Sequence, residues 1–342
     1  MILVGAIQAP ACPICIGFPK KTDADFLLDG HCVLLARPKD LDTFQYAPQT
    51  ILKGTYDGNE IDLLVDTVTR RVLELHQDRH VLLVQETALG PWQNLGIISP
   101  EFEVVVRRLI TVGVGWTGPD AASLRWQFSI PLFGQSDDRT RTLAYLELGR
   151  APYSVIRKLG GSVSRDSLAP FLDNRQYIEW QGLAILLLAQ SESAVDRQRI
   201  LDSFQSCMQY GLITNLSAWV TAAIEIDPMR SMQQIDDNYF SRSDRRPEEL
   251  EAVFLAVSML GALDNAELRE RIIASYGRLL EHAPQFAPMV ASDLYTWKRT
   301  ELVETLLTIS NQPHNFDFNQ LLSIHRYLRG TAKNETIGHV DD

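Results

Sequence analysis

The stretch Ser99-Pro100-Glu101-Phe102-Glu103-Val104-Val105-Val106-Arg107-Arg108-Leu109-Ile110 decides how the chain folds. Phe102, Val105, Val106, Leu109 and Ile110 fall at i, i+3, i+4, i+7 and i+8, which is one apolar stripe of a helix. Ser99 supplies an N-cap oxygen, and Pro100 suits the first helical position. Before this stretch, apolar residues alternate or run in short β-branched blocks. After it, amphipathic segments follow one another to about residue 330. The change of period at Ser99 predicts a small β domain followed by a stacked-helix array. Such arrays usually bind other macromolecules rather than catalyse reactions.

Upstream, Phe26 to Leu35 reads as a strand kinked at Gly30. Thr43 to Tyr56 reads as a strand pair or one bent strand, with Pro48 confining it to an edge or bulge. Asp57-Gly58 is a hairpin turn signal, and Ile61–Val65 and Val68–Leu75 are further strands. After a polar turn at His76–Arg79, His80 to Gln85 (HVLLVQ) reads as a buried strand. About five or six short strands in so few residues predict a small OB-like barrel. Downstream, Leu250, Val253, Phe254, Val257 and Leu260 form one helical face. Asp264-Asn265-Ala266-Glu267 is a capping-box pattern opening the face Leu268, Ile272, Tyr276, Leu279 and Leu280. Asp227-Pro228 starts another helix. Roughly ten helices at ~20-residue spacing give hairpins near the HEAT or armadillo period. The expected class is therefore α+β and multidomain. Its segments are a leader (1–21), an OB-like β domain (22–98), an α-solenoid of HEAT-like hairpins (99–330) and a polar tail (331–342).

The chain has 342 residues, 45% of them apolar and 22% charged, with a net charge of −11. A chain of this length buries roughly 75% of its unfolded surface and needs no disulfide to hold it. The acidic balance argues against nucleic acid, which requires a basic patch. Arg242, Arg245 and Arg246 make a dense basic spot, but Asp244 lies inside it and Glu248 and Glu249 follow, so it reads as a solvated loop. The longest apolar run, Gly182 to Ala189, falls short of the ~20 residues a membrane span needs. Peripheral membrane association stays open. Met1 to Ala11 is apolar and ends in Ala9-Pro10-Ala11 before Cys12, the pattern of a signal peptide's cleavage site, though without a positive n-region. The other reading is a first strand, Ile2 to Ile7. Ala9, where a lipoprotein signal carries Leu, argues against a lipid on Cys12. The expected location is extracytoplasmic, periplasmic or secreted.

There are four cysteines, Cys12, Cys15, Cys32 and Cys207. The Cys12-Pro13-Ile14-Cys15 motif reads as a structural disulfide, with Cys32 as an alternative partner, or as a redox dithiol. Ile16 stands where a c-type haem attachment needs His. Gly113-Val114-Gly115-Trp116-Thr117-Gly118 matches G-x-G-x-x-G, with Asp137 and Asp138 at about the spacing of a ribose acid. It follows a helical stripe rather than a strand, so it reads as an inter-helix loop with glycines at positive φ. His76 and His80 flank a turn and lack a third metal ligand. Cys12, Cys15, His31 and Cys32 suit zinc poorly, because neighbours in a strand point to opposite faces. Gly161-Ser162-Val163-Ser164 lacks the second glycine of a nucleophile elbow. Asp236 and Asp237 read as a solvated acidic pair. The tryptophans (Trp92, Trp116, Trp126, Trp180, Trp219 and Trp297) are packing candidates, and Tyr295 with Trp297 is the pair expected to anchor an interface. No cofactor and no metal are assigned.

Several stretches carry a resemblance. They are Cys12-Pro13-Ile14-Cys15, Ile51-Leu52-Lys53-Gly54, Leu146 to Ser154 (LELGRAPYS), Ala184 to Gln190 (AILLLAQ), and Leu279 to Trp297 with Pro284 and Asp293-Leu294-Tyr295-Thr296-Trp297. Together they resemble exported bacterial proteins of planctomycete-type genomes. In these, a Cys-Pro-x-Cys precedes a netrin-like β domain, similar to that of tissue inhibitors of metalloproteinases, and divergent HEAT-like repeats. The resemblance implies that fold and an extracytoplasmic location, and no catalytic residues. Netrin-like domains begin Cys-x-Cys, so their disulfide pattern does not carry over, and metalloproteinase inhibition is poorly supported. The expected function is a non-enzymatic interaction scaffold, or an accessory subunit of an extracytoplasmic complex, with a protein partner. The alternatives are a thiol-disulfide protein using Cys12 and Cys15, and a β domain that binds a small ligand or metal.

Overall fold

The computed structural model describes residues 21–39, 44–312 and 316–337. They form an α+β protein, mostly helical, with one four-stranded antiparallel sheet at the N-terminal side. Two compact units share the chain. Among the described residues, one takes the chain from Lys21 to Pro152 together with Ser162–Ala169, and the other takes Tyr153–Gly161 and the chain from Pro170 onward. The change of period at Ser99 is thus a change of secondary structure inside the first unit.

The sheet-bearing unit runs α1 (Asp23–Asp29), β1 (Cys32–Pro38), β2 (Tyr46–Lys53), α2 (Thr67–Leu75), β3 (His80–Gln85), β4 (Trp92–Ile98), α3 (Pro100–Gly113), α4 (Ala121–Ser129) and α5 (Asp138–Gly149). Strand order is β2-β1-β3-β4. The central strands β1 and β3 are buried on both faces, which is why they read as apolar runs rather than alternations. Cys32, Leu34, Ala36, Val81 and Leu83 on one face share a core with Tyr46, Ile61, Val65 and Leu73. The opposite face, Val33, Leu35, Leu82 and Val84, is buried as well. Ser99 caps α3 as expected, accepting from the Phe102 N–H at 3.1 Å.

The sheet is open, with β2 and β4 as its edges, so the expected barrel is not formed. Two segments expected as strands begin or lie in helices. Phe26–Leu35 splits at Gly30: its first half completes α1, which Thr22 and Asp25 hold with a capping box, and only its second half enters β1. Val68–Leu75 belongs to α2, where Asp66 accepts from the Thr69 N–H at 2.9 Å. That helix buries Thr69 and Leu73, one turn apart, and leaves Val68 and Leu75 exposed. Ile61–Val65 contributes a single bridge to Tyr46. Pro48 does lie on the edge strand β2, beside a register shift. β4 supplies the fourth strand from Trp92–Ile98, a stretch not expected as one. The Ile51–Gly54 motif serves the fold. Lys53 Nζ donates to the Leu27 and Leu28 carbonyls at the end of α1, and Gly54 sits at φ 75° where a Cβ would lie 2.2 Å from the His31 carbonyl oxygen.

The second unit runs α6 (Tyr153–Leu159), the C-terminal part of α7 (Arg165–Asp173), α8 (Gln181–Leu188), α9 (Ala194–Tyr210), α10 (Leu216–Ile226), α11 (Pro228–Ile235), α12 (Pro247–Gly261), α13 (Ala266–His282), α14 (Ala287–Thr296), α15 (Val303–Ser310) and α16 (Phe318–Ile337). A π-helical turn, Asp236–Phe240, extends α11. From α3 on there are fourteen α-helices among the described residues, more than expected, because several span only seven or eight residues. Alternate helices pack together: α6 on α8, α8 on α10, α10 on α12, and α14 on α16. In the other set, α11 packs on α13. α8 is apolar all round because it is buried on every side, from Gly182 to Leu188. Asn265, not Asp264, caps α13, accepting from the Leu268 N–H at 3.1 Å. Arginines from elsewhere in the unit close helix C-termini. Arg197 donates to the Ile226 carbonyl, Arg269 to those of Gly261 and Leu263, and Arg245 and Arg246 to those of Met208 and Gly211. Among the described residues no helix is long and apolar enough to cross a membrane.

Candidate interaction site at the Tyr276, Asp293 and Trp297 corner

Tyr276 lies on the buried stripe of α13 with Leu268, Ile272, Leu279 and Leu280. The chain then turns tightly through Pro284–Phe286 into α14, which buries Val290, Ala291 and Leu294. Asp293 stands beside these residues, one turn before Trp297. Phe254, Tyr276 and Trp297 form a ladder of three stacked rings, with centroids 5.2 Å and 5.9 Å apart and planes within 18° and 14°. The indole rests on Gly261 of α12, where a Cβ would come within 2.3 Å of it. Tyr276 is fully buried, and its hydroxyl donates to Asp293 Oδ2 at 2.6 Å. The Ser258 hydroxyl also favours the ionised form of this carboxylate. Burial lifts the Asp293 carboxyl to about 6, and the two hydroxyls offset this only in part.

The loop after α14 is tightly bound and strained. The Trp297 N–H donates to the Asp293 carbonyl at 2.8 Å, and the Arg299 N–H to that of Leu294 at 2.9 Å. Lys298 and Leu302 adopt left-handed conformations at φ 55° and 64°, each costing on the order of 1–3 kcal/mol for a residue other than glycine. Arg299 bridges Glu270 and Glu301, and the Tyr327 hydroxyl donates to the Glu301 carbonyl. Tyr295 faces out, 40% exposed, with the Arg326 guanidinium 4.5 Å above its ring. The two expected anchor residues therefore have different surroundings: Tyr295 is at the surface, and Trp297 packs half-buried on the ring ladder.

The other predicted residues are dispersed. Cys12 and Cys15 lie outside the described residues. Cys32 is a free, buried cysteine of β1 whose thiol burial pushes up. Gly113 ends α3 against Leu28, and only Gly118 of that motif has a positive φ, at 75°. Asp137 caps α5 by accepting from the Thr140 N–H at 2.7 Å, and Asp138 pairs with Arg141. His76 ends α2 and His80 opens β3, while His31 is exposed just before β1. Among the described residues no group of His, Cys, Asp and Glu is placed to hold a metal ion.

Two stretches expected to be solvated are so only in part: Asp237, Arg242, Asp244, Arg246 and Glu248 are exposed, but Asp236, Arg245 and Glu249 are not. Asp236 is buried in the π-helical turn and accepts from Arg271 at 2.5 Å and Arg278 at 2.7 Å. Arg245 stacks over Tyr239 and pairs with the buried Glu249, which also bonds Arg246. The partners of Asp236 lie over 30 residues on, so no local pattern reveals them. Asp293 was more accessible to sequence reasoning, as a lone acid flanked by Val290, Ala291 and Leu294. Comparisons with protein families, with curated proteins and with solved structures find no match to this chain.

Proposed function

We propose that the protein is a non-enzymatic interaction scaffold, or an accessory subunit of an extracytoplasmic complex, whose second unit is a HEAT-like α-solenoid. The carrying observation is the packing of alternate helices, α6 on α8 on α10 on α12 and α14 on α16, the neighbour pattern of stacked hairpins. The corner described above gives this reading a place to act. Tyr295 is exposed with the Arg326 guanidinium over its ring, and tyrosine and arginine are among the residues that most often anchor interfaces. The fully buried Tyr276 offers its hydroxyl to no substrate. The export expected from Met1–Cys12, and the resemblance to exported proteins with helical repeats, support an extracytoplasmic role.

Affinity capture of the tagged chain from its own cell envelope, with mass spectrometry of co-purifying proteins, tests the reading. The expected result is a stoichiometric protein partner that is lost with Tyr295→Ala and Arg326→Ala while the circular dichroism spectrum stays unchanged. A folded protein that comes down alone overturns it.

A further inference from the structure

α16 turns one stripe inward and leaves the opposite stripe bare. Ile324, Tyr327 and Thr331, at i, i+3 and i+7, are buried. Phe318, Leu322, His325 and Arg329, at i, i+4, i+7 and i+11, form the other stripe, and all four are exposed. Phe318 is 78% and Leu322 53% exposed. One such side chain in water is ordinary, but two on successive turns make a patch.

The stripe is cationic at its other end. The stretch Phe318–Thr331 contains no carboxylate, in a chain whose net charge is −11. Among the described residues Arg326 and Arg329 have no ion-pair partner, whereas Arg299 in the loop after α14 is held by Glu270 and Glu301. Arg326 lies 4.5 Å above the exposed Tyr295 ring. Gly330 makes room for that ring, since a Cβ there would come within 3.3 Å of it. Tyr295 therefore joins the α16 stripe and widens it toward α14. Leu322 precedes Arg326 and Arg329 by about 6 and 10 Å of helix.

We infer that this surface binds an acidic amphipathic helix of a protein partner. The partner's apolar pair, four residues apart, packs on Phe318 and Leu322. Its carboxylates, one to two turns further along, meet Arg326 and Arg329, and Tyr295 adds an aromatic contact. Two unpaired arginines on a carboxylate-free face of an acidic chain are the charge complement of such a helix. A bilayer fits less well, because membrane binding scales with buried apolar area and this stripe offers two large apolar side chains. The inference rests on the interaction-scaffold reading and names the kind of partner that reading requires.

The test is selection of a displayed library of helical peptides, randomised along one face, against the full chain. The wild type is expected to enrich an apolar pair at i, i+4 with Asp or Glu one to two turns away. The variant carrying Arg326→Glu and Arg329→Glu is expected to enrich Lys or Arg at those positions, and to bind the wild type's peptides about tenfold more weakly. The variant carrying Phe318→Ser and Leu322→Ser is expected to lose the preference for the apolar pair. Failure of the folded wild type to enrich any peptide overturns the inference, and so does an acidic preference that charge reversal leaves unchanged. Sedimentation with phosphatidylglycerol vesicles, or as a dimer, that the same variants abolish also overturns it. If the double variants do not fold, Arg329→Gln decides: affinity for a selected peptide is expected to fall about threefold, and an unmoved affinity overturns the inference. Failure of the scaffold reading looks different: the peptides are selected as expected, but the tagged chain captures no partner from its envelope.

Discussion

At the scale of single residues, burial acts most visibly on Asp293. Its folded carboxyl titrates near 6, above the ordinary aspartate value, so the folded state holds a proton that the unfolded state has already lost. Stability from this group is fully present at low pH and falls as pH rises toward 6. Above that, the native state carries an unfavourable, partly buried charge. Asp293→Asn removes that charge and keeps the shape, so it is expected to stabilise the protein by about 1–3 kcal/mol at pH near 7.5. The gain should vanish near pH 4, and thermal unfolding at the two pH values checks it. Burial acts on the thiols in the same sense. Cys207 is pushed up to about 11 and Cys32 upward as well, so both are thiols rather than thiolates at neutral pH. Neither is expected to be alkylated by iodoacetamide in the folded protein, while both react in guanidinium, as mass spectrometry will show.

At the scale of elements, what the sequence revealed depended on whether the signal was local. β3 matches HVLLVQ residue for residue, because a strand buried on both faces is simply an apolar run with polar ends. α3 and α11 begin where Ser99-Pro100 and Asp227-Pro228 place them, because a cap and its proline are adjacent in sequence. α2 was misread because Val68, Val72, Leu73 and Leu75 suit a strand by composition. The deciding cap at Asp66 and the Thr69–Leu73 spacing are quieter signals. The ring ladder was legible only in part: the stripe through Tyr276 predicted its burial, but Gly261 beneath Trp297 comes from a different helix. Gly261→Ala puts a methyl group into the space of an indole that is stacked on Tyr276. It is expected to cost about 1–3 kcal/mol and to lower the denaturant midpoint with an unchanged slope. An unchanged midpoint would show that Trp297 is not seated there.

At the scale of the whole molecule, neither compact unit is a single run of chain. The sheet-bearing unit closes only with Ser162–Ala169, which includes the buried Leu168. A chain ended at Pro152 is therefore expected to bind a hydrophobic dye and to be cleaved quickly by protease. One ended at Asp173 is expected to bind less dye and resist longer. Equal behaviour of the two would mean that the returning segment contributes nothing. This interleaving also sets an order of events during protein synthesis. Domains usually fold in turn as they leave the ribosome, N-terminal first. Here Tyr153–Gly161 emerges before Ser162–Ala169, so part of the second unit is already outside while the first still lacks its last piece. A nascent chain halted between these segments has two unfinished cores at once, and translation speed across that short interval governs how long both stay open.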